Sequence, residues 1–112
     1  MKTNFLGKLS ALASAIFAIG LLSSANAESL RVGMECTYAP FNYKTSDGEL
    51  AGYDVDVANG VARIIGADIE FVCQEWDGMI PALLANKFDL IIASMSITEK
   101  RMKRIDFSGP YR

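Results

Sequence analysis

From residue 28 onward the chain alternates short apolar runs with stretches of helical period. Leu30 to Glu35 predicts a first strand, bounded by polar residues. Asn42 to Lys44 and Leu50 to Ala51 flank Thr45-Ser46-Asp47-Gly48-Glu49, whose Asp-Gly pair marks a hairpin-like turn. A helix follows through about Ile65, with Val57, Val61, Ile64 and Ile65 on one stripe, Asp54 placed to cap it and Gly66 to end it. Ile69 to Gln74 predicts a second strand. Asp77 reads as the cap of a second helix, with Pro81 in its first turn and Met79, Ile80, Leu83 and Leu84 facing inward. Phe88 to Ala93 predicts a third strand, and Ile105 to Phe107 a short fourth. This βαβαβ order implies an α/β class, a three-layer lobe with a mostly parallel sheet.

The end of the third strand carries the candidate chemistry. Four apolar residues in a row, Leu90 to Ala93, suit a parallel strand covered on both faces. Ser94 and Ser96 sit where it ends. Thr98 is a good N-cap for a short helical turn, and Glu99 favours its first turn. Arg101 follows three residues after Thr98, and a guanidinium binds a carboxylate through two parallel hydrogen bonds, which a lysine cannot do. Open α/β sheets place ligands at the carboxyl ends of their strands. Ser94, Ser96 and Arg101 therefore form a candidate carboxylate clamp. Glu35 closes the first strand; from the residues alone it is either a surface carboxylate or a ligand group.

The first 27 residues read as a secretory signal peptide: a basic start with Lys2 and Lys8, an apolar stretch Leu9 to Leu22, and the small-x-small site Ala25-Asn26-Ala27. Cleavage is expected after Ala27, which leaves residues 28–112 as one small exported domain. Without Lys2 and Lys8, nine basic residues face thirteen acidic ones, net −4. That balance argues against nucleic acid. Lys100, Lys103 and Arg104 read as a solvated turn. With no histidine and two cysteines, no zinc site is expected, and no cofactor motif appears. No nucleophile elbow or catalytic constellation is present either.

Five stretches carry a family resemblance: Val32 to Phe41, Gly52 to Val57, Trp76 to Leu83, Ser94 to Arg101, and Asp106 to Ser108. In this order they resemble the N-terminal part of periplasmic amino-acid-binding proteins of ABC transporters, solute-binding protein family 3, of the lysine/arginine/ornithine- and histidine-binding type. The resemblance implies the type II periplasmic-binding fold (first lobe only), with strand order second–first–third. It implies an amino-acid ligand between two lobes, a membrane permease as partner, a monomer and a periplasmic location. A second lobe would supply the group for the α-ammonium, so the chain is expected to be a fragment. A lone lobe is expected to bind a free amino acid weakly or not measurably.

By the same resemblance Glu35 reaches the ligand's side chain, which favours a cationic amino acid: arginine, lysine, ornithine or histidine. Tyr38 and Tyr53 become flat walls along that side chain. Ser94, Ser96 and Arg101 hold the α-carboxylate. Trp76 reads as cover over the start of the second helix, outside the site. If the first two strands are neighbours, Cys36 and Cys73 lie on one sheet edge, and an oxidising compartment allows them to pair; two buried thiols are the alternative. The disulfide of the nearest relatives would fall near Ala62 and Ile69, so this chain departs from that pattern. Two other classes share the fold: exported enzymes such as cyclohexadienyl dehydratase, and sensor domains.

Overall fold

The computed structural model describes residues 28–112; the expected signal peptide and its cleavage site lie outside the described residues. The central strand β1 (Ser29–Met34) pairs in parallel with β5 (Asp68–Cys73) on one side and with β6 (Leu90–Ile91) on the other. The order β5-β1-β6 is the second–first–third arrangement expected. A small antiparallel sheet joins β2 (Thr37–Tyr38), β3 (Asn42–Lys44) and β4 (Leu50–Ala51). Helix α1 (Tyr53–Ile65) connects that sheet to β5. A 3₁₀ turn at Trp76–Gly78 leads into α2 (Met79–Leu84), and α3 (Glu99–Met102) follows β6.

The core gathers Val32 and Met34 of β1, Val55 and Ala58 of α1, Met79 and Ala82 of α2, and Phe88, Ile92 and Ala93 around β6. Gly33 belongs to this packing: a Cβ there would lie 2.6 Å from the Phe88 ring. The bare backbone of β1 is what lets the ring lie across the sheet.

Several sequence expectations change. Helix α1 turns Val55, Ala58 and Ala62 inward, at i, i+3 and i+7. The two alanines let the helix lie close to the sheet. The larger Ile64 and Ile65, expected on the inner stripe, are 86% and 58% exposed, because they occupy the last turn and Ile64 points away from the packed face. Asp54 does not cap α1. Gly52 holds the N-cap position, and Asp54 lies inside the first turn, fully buried. Gly66 does end α1 in a left-handed conformation, φ 69°. Asp77 does not cap α2 either, since the 3₁₀ turn puts Gly78 at that position. Leu84 is exposed rather than inward, while Ala82 is buried.

The third strand is shorter than expected. Its contacts with β1 run on through the bonds Asp89 N–H to Arg31 O and Ile92 N–H to Gly33 O. The chain then leaves the sheet at Ser94, where φ is 53°. The segment Ile105 to Phe107 forms no strand, because it has no ladder partner among the described residues.

Candidate functional site

All three parallel strands point their carboxyl ends at one edge, which collects Glu35, Cys36, Cys73 and Ser94. A disulfide joins Cys36 to Cys73, with a Cα separation of 5.6 Å, and ties the end of β1 to the end of β5. Cys36 and Ser94 both adopt positive φ, 66° and 53°. Non-glycine residues rarely take this conformation, and they take it mostly where surrounding contacts hold it.

A buried carboxylate supplies those contacts. Asp54 accepts hydrogen bonds from Asn42 Nδ2 at 2.8 Å, Ser94 Oγ at 2.7 Å and the Tyr111 hydroxyl at 2.8 Å. Asn42 in turn accepts from the Cys36 N–H at 2.7 Å. Asn42 and Asp54 are both fully buried. One continuous chain of bonds therefore runs from the disulfide-bonded turn, through β3 and α1, to the end of β6. Low local dielectric strengthens such bonds and makes each expensive to leave unmade.

Glycine 52 makes this approach possible. At φ 121° it turns the chain so that the Tyr53 N–H reaches Pro40 O and the Asp54 N–H reaches Phe41 O at 2.8 Å. A side chain at this position would collide with the Phe41 carbonyl.

Ser94 is consequently committed. Its hydroxyl proton goes to Asp54, so Oγ offers only lone pairs outward, and Oγ accepts from Arg112 Nε at 3.2 Å. Its N–H donates to the Tyr111 hydroxyl at 2.9 Å. Both the hydroxyl and the N–H of Ser94 are thus engaged within the chain.

Arg101 is held from two sides. Its Nη1 donates to Ser96 O at 2.8 Å, and its guanidinium lies 5.4 Å from the centre of the Trp76 ring. The hydrogen bond uses one of five N–H groups. Thr98 caps α3 as the sequence suggests, accepting from the Arg101 N–H at 3.2 Å.

The two tyrosines are partly exposed. Tyr38 packs against Phe41 with ring centres 4.9 Å apart. Tyr53 stacks on Tyr111 at 6.1 Å and donates its hydroxyl hydrogen to Tyr111 O at 3.1 Å. The Arg112 guanidinium sits over the Phe41 ring, 4.3 Å from its centre. An aromatic face at this edge can thus carry a guanidinium. Glu35 is half-buried and forms no ion pair among the described residues.

Of the six sequence candidates, Ser96 and Arg101 bond directly, and Ser94 and Tyr53 meet through Tyr111. Tyr38 joins through Phe41 and Arg112, whereas Glu35 stands apart. A groove of about 630 Å³ opens beside Ser94 and Ser96 and runs along the free edge of β6, lined also by Met95, Phe107 and Tyr111. Glu35, Tyr38, Tyr53 and Arg101 do not line it.

The model of the bacterial extracellular solute-binding proteins, family 3, matches residues 30–112. The chain belongs to this family. Relatives of the family include the L-arginine-binding protein of Pseudomonas aeruginosa, 42% identical over 99 residues, 88% of this chain and 38% of that protein. Domain 1 of TmArgBP, solved in its arginine-bound form, is 42% identical with a TM-score of 0.72, covering 74% of this chain and 66% of that one. An ancestral amino acid-binding protein, a precursor of cyclohexadienyl dehydratase, is 45% identical with a TM-score of 0.72, covering 75% of this chain and 37% of that one. The chain spans under two fifths of the length of the curated relatives it matches.

Asp54, Asn42, Tyr111 and Arg112 of this cluster were not among the sequence candidates. The signal for two of them was present. Asp54 lies inside the stretch Gly52 to Val57 that carries the resemblance, and Asn42 directly follows the stretch that ends at Phe41. Trp76, read as cover, also forms the wall behind Arg101.

Proposed function

We propose that this lobe binds a cationic L-amino acid, with arginine the best fit, as the first half of an extracytoplasmic receptor that delivers its ligand to an ABC-transporter permease. The observation that carries this reading is the strand-end constellation of Ser94, Ser96 and the Trp76-backed Arg101, set beside exposed aromatic faces. Arg101, with Ser94 and Ser96 at the strand end, holds the α-carboxylate. Tyr38 and Tyr53 flank the ligand's stem, and Glu35 attracts its cationic end. The arginine-binding relative and the arginine-bound single domain of TmArgBP support both the ligand class and binding by one lobe.

Binding is the function favoured over catalysis. The curated relatives bear the names of binding proteins. A carboxylate at Glu35 and aromatic walls suit a cation better than an acidic prephenate-like substrate. Periplasmic residence and the permease partner are part of the same proposal, as is a second lobe that supplies the α-ammonium contact.

The test is a titration of the chain with L-arginine, L-lysine, L-histidine and L-glutamate, followed by calorimetry and amide NMR. Saturable binding of the cationic amino acids is expected, weaker than in a two-lobe receptor, with no response to glutamate. Arg101→Ala is expected to weaken arginine binding roughly ten- to a hundred-fold, the worth of a charge-assisted hydrogen bond. A folded chain that ignores all three cationic amino acids, or an Arg101→Ala chain that binds as well as the parent, would refute the reading.

A further inference from the structure

Asp54 is the one fully buried carboxylate among the described residues, and none of the proposed ligand contacts uses it. Its partners fix its orientation. The Cys36 N–H holds Asn42 Oδ1 at 2.7 Å, so Asn42 has only its Nδ2 to offer Asp54, and it donates to Oδ2 at 2.8 Å. Oδ1 is thereby aimed at the end of β6, where it accepts from the Ser94 hydroxyl at 2.7 Å. The Tyr111 hydroxyl reaches the same oxygen at 2.8 Å, but the Ser94 bond is the one that acts on the strand end. Ser94 stands at φ 53°, a conformation in which a serine has to be held. The consequence reaches Arg101. Only Met95 separates Ser94 from Ser96, so the backbone angle at Ser94 decides where the Ser96 carbonyl stands. That carbonyl accepts from Arg101 Nη1 at 2.8 Å.

From this geometry we infer that Asp54 is a positioning residue for ligand capture: it holds Ser94 in the left-handed conformation that docks the Ser96 carbonyl on Arg101, and so aims the guanidinium at the ligand carboxylate. Asp54 itself touches no ligand. This role presupposes the cationic amino-acid reading above. When the bond to Asp54 is weakened, Ser94 relaxes toward the ordinary negative-φ regions, and the fraction of chains with Arg101 in place falls. Apparent affinity falls in proportion to that fraction. A Ser94→Gly chain needs no such support, because glycine enters the left-handed region about as readily as the right-handed one. The effect of Asp54 on binding therefore depends on which residue stands at the strand end.

The test is calorimetry with L-arginine on the parent, Asp54→Asn, Ser94→Gly and the double variant, with urea midpoints to establish that each chain is folded. Asp54→Asn keeps the volume and replaces a charge-assisted bond with a neutral one. It is expected to weaken L-arginine binding roughly three- to ten-fold in the parent. In the Ser94→Gly background the same substitution is expected to cost less than about two-fold, the non-additivity of residues that act as a unit. Ser94→Ala removes the hydroxyl but keeps the Cβ, and it is expected to bind more weakly than Ser94→Gly. An equal cost of Asp54→Asn in both backgrounds would overturn the inference, since a role confined to general stability does not depend on the residue at 94. Equal binding by Ser94→Ala and Ser94→Gly would overturn it as well, by making the hydroxyl a direct ligand group. If Asp54→Asn does not fold, the Ser94→Ala and Ser94→Gly comparison decides alone. In each of these cases the parent still binds L-arginine and the proposed function stands. A folded parent that binds no cationic amino acid removes the proposed function and this role of Asp54 together.

Discussion

At the scale of single residues, the site depends on positions whose value is geometric. Gly52 is the plainest. Its φ of 121° is open to glycine and not to L side chains, and a Cβ would meet the Phe41 carbonyl, which is backbone and cannot swing aside. Gly52→Ala is expected to lower stability by on the order of 3 kcal/mol, read as a fall in the urea midpoint. A variant with an unchanged midpoint would show that α1 can start elsewhere. Because the same turn delivers Tyr53 and Asp54, the variant is also expected to lose ligand binding. This is where the sequence was least legible. Asp54 comes two residues after a glycine, at the start of a helical run, and so looks like a cap, yet its carboxylate points into the protein toward Asn42, Ser94 and Tyr111. Those partners are 12, 40 and 57 residues away in sequence, so no local pattern names them. The capped turn that carries Arg101 was legible because the strand end, Thr98 and the turn are consecutive.

At the scale of elements, strand order and helix positions were readable because period and turn residues are local properties. The inner face of α1 was not, because two alanines, rather than the larger isoleucines, mark where helix and sheet approach. The amino-terminal edge of the sheet has its own fastening, at the end opposite Glu35 and Ser94. Arg31 of β1 donates to Asp89 Oδ1 at 2.8 Å through Nη2, and to Asn86 O at 3.0 Å through Nη1. The Arg31 N–H also donates to Asp89 Oδ2 at 2.8 Å. This clamps β1 to the loop between α2 and β6. The hydrogen bonds from the Arg31 side chain, and next its backbone N–H, hold the Asp89 carboxyl below its ordinary range. Asp89 in the folded chain therefore keeps its proton off at pH values where the unfolded chain takes one up. Its stabilising contribution is full above the ordinary carboxylate pKa of about 3.9 and fades as pH falls through the lower folded value. Asp89→Asn is expected to be less stable than the parent at neutral pH, with the gap closing below about pH 4. Urea midpoints across that range check it, and a gap independent of pH would assign the loss to packing instead.

At the scale of the whole molecule, the disulfide is the strongest single constraint between the sheet and the site. Cys36 and Cys73 are 37 residues apart, and the loop they close contains the antiparallel sheet and all of α1. In the chain-entropy account, closing a loop of that length stabilises a fold by about 4 kcal/mol, and measured values run from about 2 to 4. For a small lobe that is a large fraction of total stability, since domains of this size bury modest cores. Cys36 also donates its N–H to Asn42, so the bridge anchors the hydrogen-bonded path that ends at Ser94. Two effects are therefore expected from the double variant Cys36→Ser, Cys73→Ser. The urea midpoint falls by an amount equivalent to about 2 to 4 kcal/mol. Arginine affinity falls too, even under conditions where the variant remains folded, because Ser94 loses the support that holds it at positive φ. The two effects are separable: a purely entropic staple acts on the unfolded chain and leaves the folded site unchanged. If the folded variant binds arginine like the parent while its midpoint drops, the bridge serves stability alone, and the path through Asn42 and Asp54 holds the strand end without it.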